Sequence, residues 1–178
     1  MTCVAGLAEK GRVWIGADSA GVGGLSLTVR ADSKVFRRGP FVMGFTTSFR
    51  MGQLLRYRLT IPEHRPNIEV EQWMATEFVD AVRECLKAGG FARKKDEEET
   101  GGTFLVGYRG QLFAVHEDYQ VGEPLDGFDA VGSGAELARG ALFATRGRAP
   151  RRRIEIALQA AERMNAGVRG PFHIEIAK

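Results

Sequence analysis

The chain has 178 residues, of which 44% are apolar and 26% charged, and its formal net charge is +3. These values suit one globular domain over residues 1–178, and so mild a charge does not favour nucleic acid as a partner. No apolar run approaches the ~20 residues that cross a bilayer, and no secretory leader is visible. The two cysteines, Cys3 and Cys85, lack metal-ligand spacing. We therefore expect a cytoplasmic protein with no membrane partner and no required cofactor.

Short apolar runs in the first quarter of the chain predict β-strands. Apolar runs at residues 3–7 and 13–17, separated by a Glu-Lys-Gly turn, predict a hairpin. The glycine-rich residues 21–24 predict a flexible connection. Alternation over residues 25–29 and the apolar run at residues 41–45 predict further strands.

Helical periodicity then appears twice. The apolar stripes predict helices over residues 49–57 and 70–86, the second ending at a Gly-Gly pair. The charged residues 93–99 predict a solvated loop. The remaining elements are strands at residues 103–108, 112–115, 129–131 and 172–176, and helices at residues 137–143 and 151–164.

This order of elements predicts an α+β fold. Strands, two helices, strands, two helices and a last strand can be satisfied by two sheets packed face to face, with a helix pair on each outer side. Because strands and helices do not alternate regularly, a doubly wound parallel sheet is less favoured.

Thr2 directly follows Met1, so removal of one residue would make it the N-terminal residue. A threonine hydroxyl needs a base to become a nucleophile, and a free α-amino group, whose pKa lies near neutrality, can serve. Asp18 follows the apolar run 13–17, and Lys34 lies further along the chain. A nearby lysine keeps the amine unprotonated, and a carboxylate beside that lysine would hold it in place.

Several short motifs, each weak alone, form a specific set in this order. They are Thr2 after Met1, Gly16-Ala17-Asp18, Ser33-Lys34-Val35, Met43-Gly44-Phe45, Gly132-Ser133-Gly134 and Phe172-His173-Ile174-Glu175. Thr2, Asp18 and Lys34 follow one another at intervals of 16 residues. On these residues the chain resembles the proteasome β-subunit superfamily over nearly its whole length, and most closely the bacterial HslV peptidases.

The resemblance implies a four-layer αββα sandwich of the N-terminal nucleophile hydrolase kind. It also implies a threonine peptidase that forms a homo-oligomeric ring, degrades unfolded proteins and works with an ATPase unfoldase of the HslU type. Thr2 would be the nucleophile with its own amine as base, and Asp18 and Lys34 would be the electrostatic pair. The Gly44 N–H would donate to the oxyanion, and Ser133 would support the amine.

Two further sets of residues follow from the resemblance. Position favours Asp32, Val42 and Thr46 as substrate-contacting residues. A sodium ion would be held by the backbone carbonyls of Glu162, Asn165 and Val168. Asn165 stands where proteasome subunits carry an aspartate, a departure that HslV shares.

Other interpretations stay open. Lys34 also suits the surface of a strand edge, and Ser133 suits a helix N-cap. A catalytically silent ring or scaffold protein would retain Met1, and a small-molecule amidase could use the same chemistry. The run Arg151-Arg152-Arg153 favours a solvated helix start over a nucleic-acid site, because few aromatic residues accompany it.

Overall fold

A computed structural model describes residues 1–95 and 98–178 of the chain, with side chains outside residues 93–98. Its strands are β1 Val4–Glu9, β2 Arg12–Ala17, β3 Ala20–Gly23, β4 Ser26–Val29, β5 Val35–Arg38, β6 Phe41–Phe45, β7 Arg93–Lys95, β8 Glu98–Thr100, β9 Phe104–Tyr108, β10 Gln111–Val115, β11 Val121–Gly122, β12 Phe128–Val131 and β13 His173–Ala177. The helices are α1 Phe49–Tyr57, α2 Val70–Trp73, α3 Val79–Ala88, α4 Ala135–Ala144 and α5 Pro150–Met164, with a π-helical segment Met74–Phe78 joining α2 to α3.

Two antiparallel sheets form the centre of the molecule. One has the strand order β12-β1-β2-β13, and the other has the order β11-β10-β9-β6-β5. Apolar side chains from the two sheets share one buried cluster, which includes Val4, Ile15, Val42 and Leu105. The sheets therefore pack face to face, as the order of elements predicts.

The outer face of each sheet is covered by helices. Residues of α1 to α3 pack on the five-stranded sheet in a cluster centred on Trp73 and Phe78. Residues of α4 and α5 pack on the four-stranded sheet in a cluster that includes Leu142 and Leu158. The four-layer αββα sandwich is thereby confirmed, because the three apolar clusters separate four layers.

Two local predictions are wrong. The glycine-rich residues 21–24 do not form a loose connection, because Ala20–Gly23 is strand β3 and pairs with β4. The charged residues 93–99 do not form a loop throughout, because β7 pairs with β8 in an antiparallel arrangement. Residues 96 and 97 of that segment lie outside the described residues. In both cases backbone pairing prevails over a side-chain composition typical of loops.

None of the helices in the described ranges is both long enough and apolar enough to span a membrane.

Candidate active site

Thr2, Asp18 and Lys34 meet next to the ends of strands that come from both sheets. Thr2 precedes β1, Asp18 follows β2, and Lys34 precedes β5. The Lys34 Nζ lies 2.8 Å from the Thr2 Oγ1 and 2.8 Å from the Asp18 Oδ1. All three residues are buried, with exposures of 5%, 0% and 2% for Thr2, Asp18 and Lys34. An ammonium group therefore bridges a buried carboxylate and a hydroxyl.

The backbone holds the Asp18 carboxylate in place. Its Oδ1 accepts the Cys3 N–H at 3.0 Å, and its Oδ2 accepts the N–H groups of Ala20 at 2.9 Å and Arg169 at 3.3 Å. These three backbone N–H groups occupy acceptor positions on both carboxylate oxygens and fix the orientation of the side chain. Asp18 is thus a fixed negative charge against which Lys34 is oriented.

Burial also acts on the lysine. It lowers the pKa of Lys34 below the ordinary 10.5, while the ionised Asp18 opposes that change. The Lys34 carbonyl accepts the Phe45 N–H at 3.0 Å, so pairing of β5 with β6 fixes the backbone from which the side chain extends. The sequence interpretation of Lys34 as a surface lysine is excluded by its burial.

Ser133 lies on the other side of Thr2. The Thr2 N–H donates to the Ser133 Oγ at 3.2 Å, and the Gly134 N–H donates to the Thr2 carbonyl at 3.1 Å. Gly132 has a φ of +99°, and a Cβ there would lie 2.4 Å from the Thr2 carbonyl oxygen. Only glycine allows this approach. The Asn165 side-chain N–H₂ donates to the Ser133 carbonyl at 2.8 Å, which ties the turn to the end of α5.

Met1 precedes Thr2 in the chain and is 59% exposed. Its carbonyl accepts the Thr2 hydroxyl at 2.5 Å, and its side chain lies against Gly167. While Met1 is attached, the Thr2 nitrogen is an amide and cannot act as a base. Removal of Met1 would leave that nitrogen as an amine beside Ser133.

Gly44 does not reach the site. It pairs with Val35 on one side and Leu105 on the other, so its backbone groups lie within the sheet. A Cβ at Gly44 would come within 2.6 Å of Val4 and 2.7 Å of Ile15 in the facing sheet. Gly44 therefore allows close packing of the two sheets below Thr2, and its N–H is not positioned as the expected oxyanion donor.

Thr47 offers a backbone donor where Gly44 does not. It borders the same cleft as Thr2, and its N–H makes no hydrogen bond within the described part of the chain. Its φ is +61°, which is strained for a β-branched residue. The Thr103 N–H donates to the Thr47 Oγ1 at 3.1 Å and holds the residue in this conformation.

The cleft beside Thr2 has a volume of about 290 Å³. β3 forms one wall, and the segment from Phe45 to Phe49 forms the other, with Arg30 and Lys34 between them. Thr46, one of the residues expected to contact substrate, borders this cleft. Asp32 lies outside it and lines a smaller neighbouring cavity.

Val42 is placed differently from the prediction. Its side chain is fully buried between the two sheets, beside Gly107. A substrate in the cleft cannot contact it without opening the sandwich. The alternation of side chains along β6 explains this, because Val42 and Gly44 face the opposite sheet.

The residues predicted to hold sodium surround the end of α5. The Asn165 carbonyl accepts the Val168 N–H at 3.1 Å, which leaves one lone pair. The carbonyls of Glu162 and Val168 accept no hydrogen bond from the described residues. Carbonyl oxygens suit a hard cation, so these residues fit the predicted ion.

No group of three or more acidic, histidine or cysteine side chains that could hold a metal is found among the described residues.

Cys3 is beside Thr2 but is not a competing nucleophile. Its side chain is fully buried. Burial, assisted by the nearby Asp18 carboxylate, raises the pKa of the Cys3 thiol to about 12. The thiolate, which is the reactive form, is therefore scarce near neutral pH.

Arg30, Thr47 and Phe49 line the cleft, although the sequence does not single them out as site residues. Arg30 and Asp32 are two positions apart and of opposite charge, so the sequence could have indicated a pair, although the bend at residues 31 and 32 is not visible in it. Thr47 carries no signal, since its positive φ is not expected of threonine. Phe49 begins α1 after the N-cap Ser48, and its periodicity suggests only a core position.

Several solved structures share this architecture. BPH from Thiobacillus denitrificans is 21% identical, with a TM-score of 0.78, and the match covers 99% of this chain and 97% of that one. The eukaryotic HslV from Trypanosoma brucei is 16% identical, with a TM-score of 0.69 and 98% coverage of both chains. The Gly-1 mutant of Anbu from Hyphomicrobium sp. strain MC1 is 17% identical, with a TM-score of 0.69, over 100% of this chain and 82% of that one.

These likenesses confirm that the chain has the proteasome-like N-terminal nucleophile hydrolase fold, as the resemblance implies. At such low identity they establish the fold alone. No family model matches the chain, and no curated protein matches its sequence.

Proposed function

We propose that the chain is a threonine-type peptidase subunit that hydrolyses peptide bonds of unfolded proteins, with Thr2 as nucleophile after removal of Met1. One observation carries the proposal. The buried Lys34 ammonium lies 2.8 Å from both the Thr2 hydroxyl and the Asp18 carboxylate. A lysine in this position stabilises a developing alkoxide on Thr2 and disfavours protonation of the neighbouring amine.

The reaction would proceed in two steps. In the first, the Thr2 Oγ attacks the peptide carbonyl carbon, and the free Thr2 amine takes the hydroxyl proton. The Thr47 N–H, which makes no hydrogen bond to the described residues, supports the oxyanion of the tetrahedral intermediate. The carbon–nitrogen bond then breaks, the amine returns its proton to the leaving nitrogen, and an ester on Thr2 remains. In the second step, water, deprotonated by the same amine, hydrolyses that ester.

We also propose that the subunit assembles into a ring of identical copies and receives substrates from an ATPase unfoldase of the HslU type. The β3–β4 hairpin supports self-assembly. Leu25, Leu27 and Val29 on this hairpin are exposed, at 107%, 41% and 54%. Neighbouring apolar side chains left in water favour coverage by another protein surface. The sodium ion remains a proposal, and its role would be to stabilise the loop after α5.

The first test is the intact mass of the purified protein, together with turnover of a fluorogenic peptide. We expect the mass to lack one methionine residue, and we expect Thr2→Ala to reduce turnover to the background rate while leaving assembly unchanged. Thr2→Ser is the matched control, because it keeps a hydroxyl on the N-terminal residue and should retain activity.

The alternatives correspond to distinct outcomes. Retained Met1 with no turnover would favour a catalytically silent scaffold over the peptidase. Loss of Met1 with hydrolysis of small amides, but not of peptides, would favour an amidase. Unchanged turnover in Thr2→Ala would exclude Thr2 as the nucleophile.

A further inference from the structure

Arg30 lines the cleft and has contacts along its whole side chain. Its Nε donates to the Asp32 Oδ1 at 2.7 Å, and its Nη2 donates to the Asp32 Oδ2 at 2.7 Å. Its guanidinium carbon lies 3.8 Å from the centre of the Phe49 ring. The alkyl part of the side chain packs on Gly21, where a Cβ would come within 2.9 Å of the Arg30 Cδ. Contacts to its edge, face and alkyl chain therefore fix the guanidinium.

One edge of this guanidinium remains free. Asp32 uses the edge formed by Nε and Nη2, whereas Nη1 makes no hydrogen bond within the described part of the chain. One N–H of Nη1 and the second N–H of Nη2 form the other fork of the planar group. This fork matches the geometry of a carboxylate and can bind it through two parallel hydrogen bonds.

The charged side chains that line the cleft are cationic. Arg30 and Lys34 are the charged side chains that border it, and none of the lining residues in the described ranges is acidic. Their partners do not line the cleft, since Asp18 is fully buried and Asp32 lines the smaller cavity. A substrate in the cleft thus meets two cations before either carboxylate, and an anionic side chain is favoured.

Arg30 is also close to the reacting atoms. The Phe49 ring is shared, because its centre lies 3.8 Å from the Arg30 guanidinium carbon and 5.7 Å from the Lys34 Nζ. The same Nζ is 2.8 Å from the Thr2 Oγ1. The free fork of Arg30 therefore lies near the carbonyl that Thr2 attacks. The separation is no longer than a few extended substrate residues, at ~3.5 Å each.

We infer that Arg30 determines specificity, and that it selects substrates with an acidic side chain on the residue whose carbonyl Thr2 attacks. The inference rests on the proposed peptidase function. The substrate carboxylate accepts hydrogen bonds from the free fork of Arg30, while Asp32, Phe49 and Gly21 hold the guanidinium in place. Because the fork is fixed before substrate arrives, little side-chain entropy is lost on binding.

The test compares four fluorogenic peptides that differ only at this residue, which is Glu, Gln, Leu or Arg, using the mature full-length protein. We expect kcat/KM for Glu to exceed that for the isosteric Gln by at least about tenfold, the usual size of a charged hydrogen-bonded contact. In Arg30→Gln the Glu-to-Gln ratio should fall to about one. Arg30→Lys should give an intermediate ratio, because it keeps the charge and loses the fork.

Arg148→Gln is the matched control, since it removes the same charge from an exposed position outside the cleft. It should leave the Glu-to-Gln ratio unchanged. Turnover of the Leu peptide without a preference for Glu would overturn the inference and leave the peptidase function standing. A Glu preference that persists in Arg30→Gln would overturn it as well. Failure to cleave any of the four peptides would overturn the proposed function, and the inference with it.

Discussion

Two pairs of a cation and an aspartate lie beside the cleft, and they differ in burial. In the pair Lys34–Asp18 the side chains are 2% and 0% exposed, whereas in Arg30–Asp32 they are 38% and 41% exposed. The contact distances are nearly equal, at 2.8 Å and 2.7 Å. The two pairs therefore differ mainly in how much water surrounds them.

This difference separates two functions of an ion pair. A buried ion has lost its hydration, so removal of its partner leaves a charge that nothing nearby compensates. An exposed pair is screened by water and salt, and breaking it has a small effect on stability. This difference supports the proposed roles, in which Lys34–Asp18 holds a fixed catalytic geometry and Arg30–Asp32 contacts a variable substrate.

The largest effect is expected from Lys34→Met. The change leaves the buried Asp18 carboxylate without its cation, and breaking a buried pair in this way lowers the free energy of unfolding by about 3–5 kcal/mol. It also removes the donor 2.8 Å from the Thr2 Oγ1, so peptide turnover should fall to background. Chemical denaturation and a peptide assay measure the two effects.

Lys10→Met is the control for that experiment. The Lys10 side chain is 88% exposed and lies 4.0 Å from Glu9. Its replacement should change the free energy of unfolding by less than about 0.5 kcal/mol, as is usual at the surface. Equal losses from Lys10→Met and Lys34→Met would contradict the distinction between buried and exposed charges.

The sequence predicts the pair Lys34–Asp18 but not the pair Arg30–Asp32. The spacing of Thr2, Asp18 and Lys34 is a property of the sequence, and it fits a known family. The order of elements likewise predicts the sandwich, because apolar periodicity sets which faces are buried. Ser133 and Thr46 lie beside Thr2 for the same reason, since each is close to the end of a predicted strand.

The remaining errors arise where local backbone geometry decides. Gly44 matches a family motif, but only its position in β6 shows that it faces the other sheet. Thr47 takes a positive φ that its residue type disfavours, so no sequence rule identifies its N–H as free. The cleft contacts of Arg30 depend on the β3–β4 hairpin, and the sequence predicts strand β4 but not β3.

The pH dependence of turnover provides a smaller but more specific test. Burial lowers the pKa of Lys34 below 10.5, so the ammonium should be lost, and turnover should decline, at a lower pH than for a free lysine. Asp18 raises that pKa. In Asp18→Asn, the decline of the residual turnover on the alkaline side of the pH profile should therefore begin at a still lower pH. The measurement is kcat/KM for the Leu peptide against pH.

Asp32→Asn is the matched change in the exposed pair. It should leave unchanged the pH at which kcat/KM declines on the alkaline side. Movement of that pH by equal amounts in Asp18→Asn and Asp32→Asn would show that Lys34 responds to the general field of the cleft and not to its buried partner.

The smallest effect is expected on the stability of the exposed pair itself. The Arg30 guanidinium lowers the pKa of Asp32 chiefly through its hydrogen bonds, so the pair contributes stability above the ordinary carboxyl pKa and loses it as pH falls through the lowered one. Since both side chains are exposed, Asp32→Asn should lower the free energy of unfolding by less than about 1 kcal/mol at neutral pH, and less still at high salt. Denaturation at two salt concentrations measures this. A salt-independent loss as large as that in Lys34→Met would mean that Arg30–Asp32 is a structural pair, and it would remove the physical basis for assigning that pair to substrate contact.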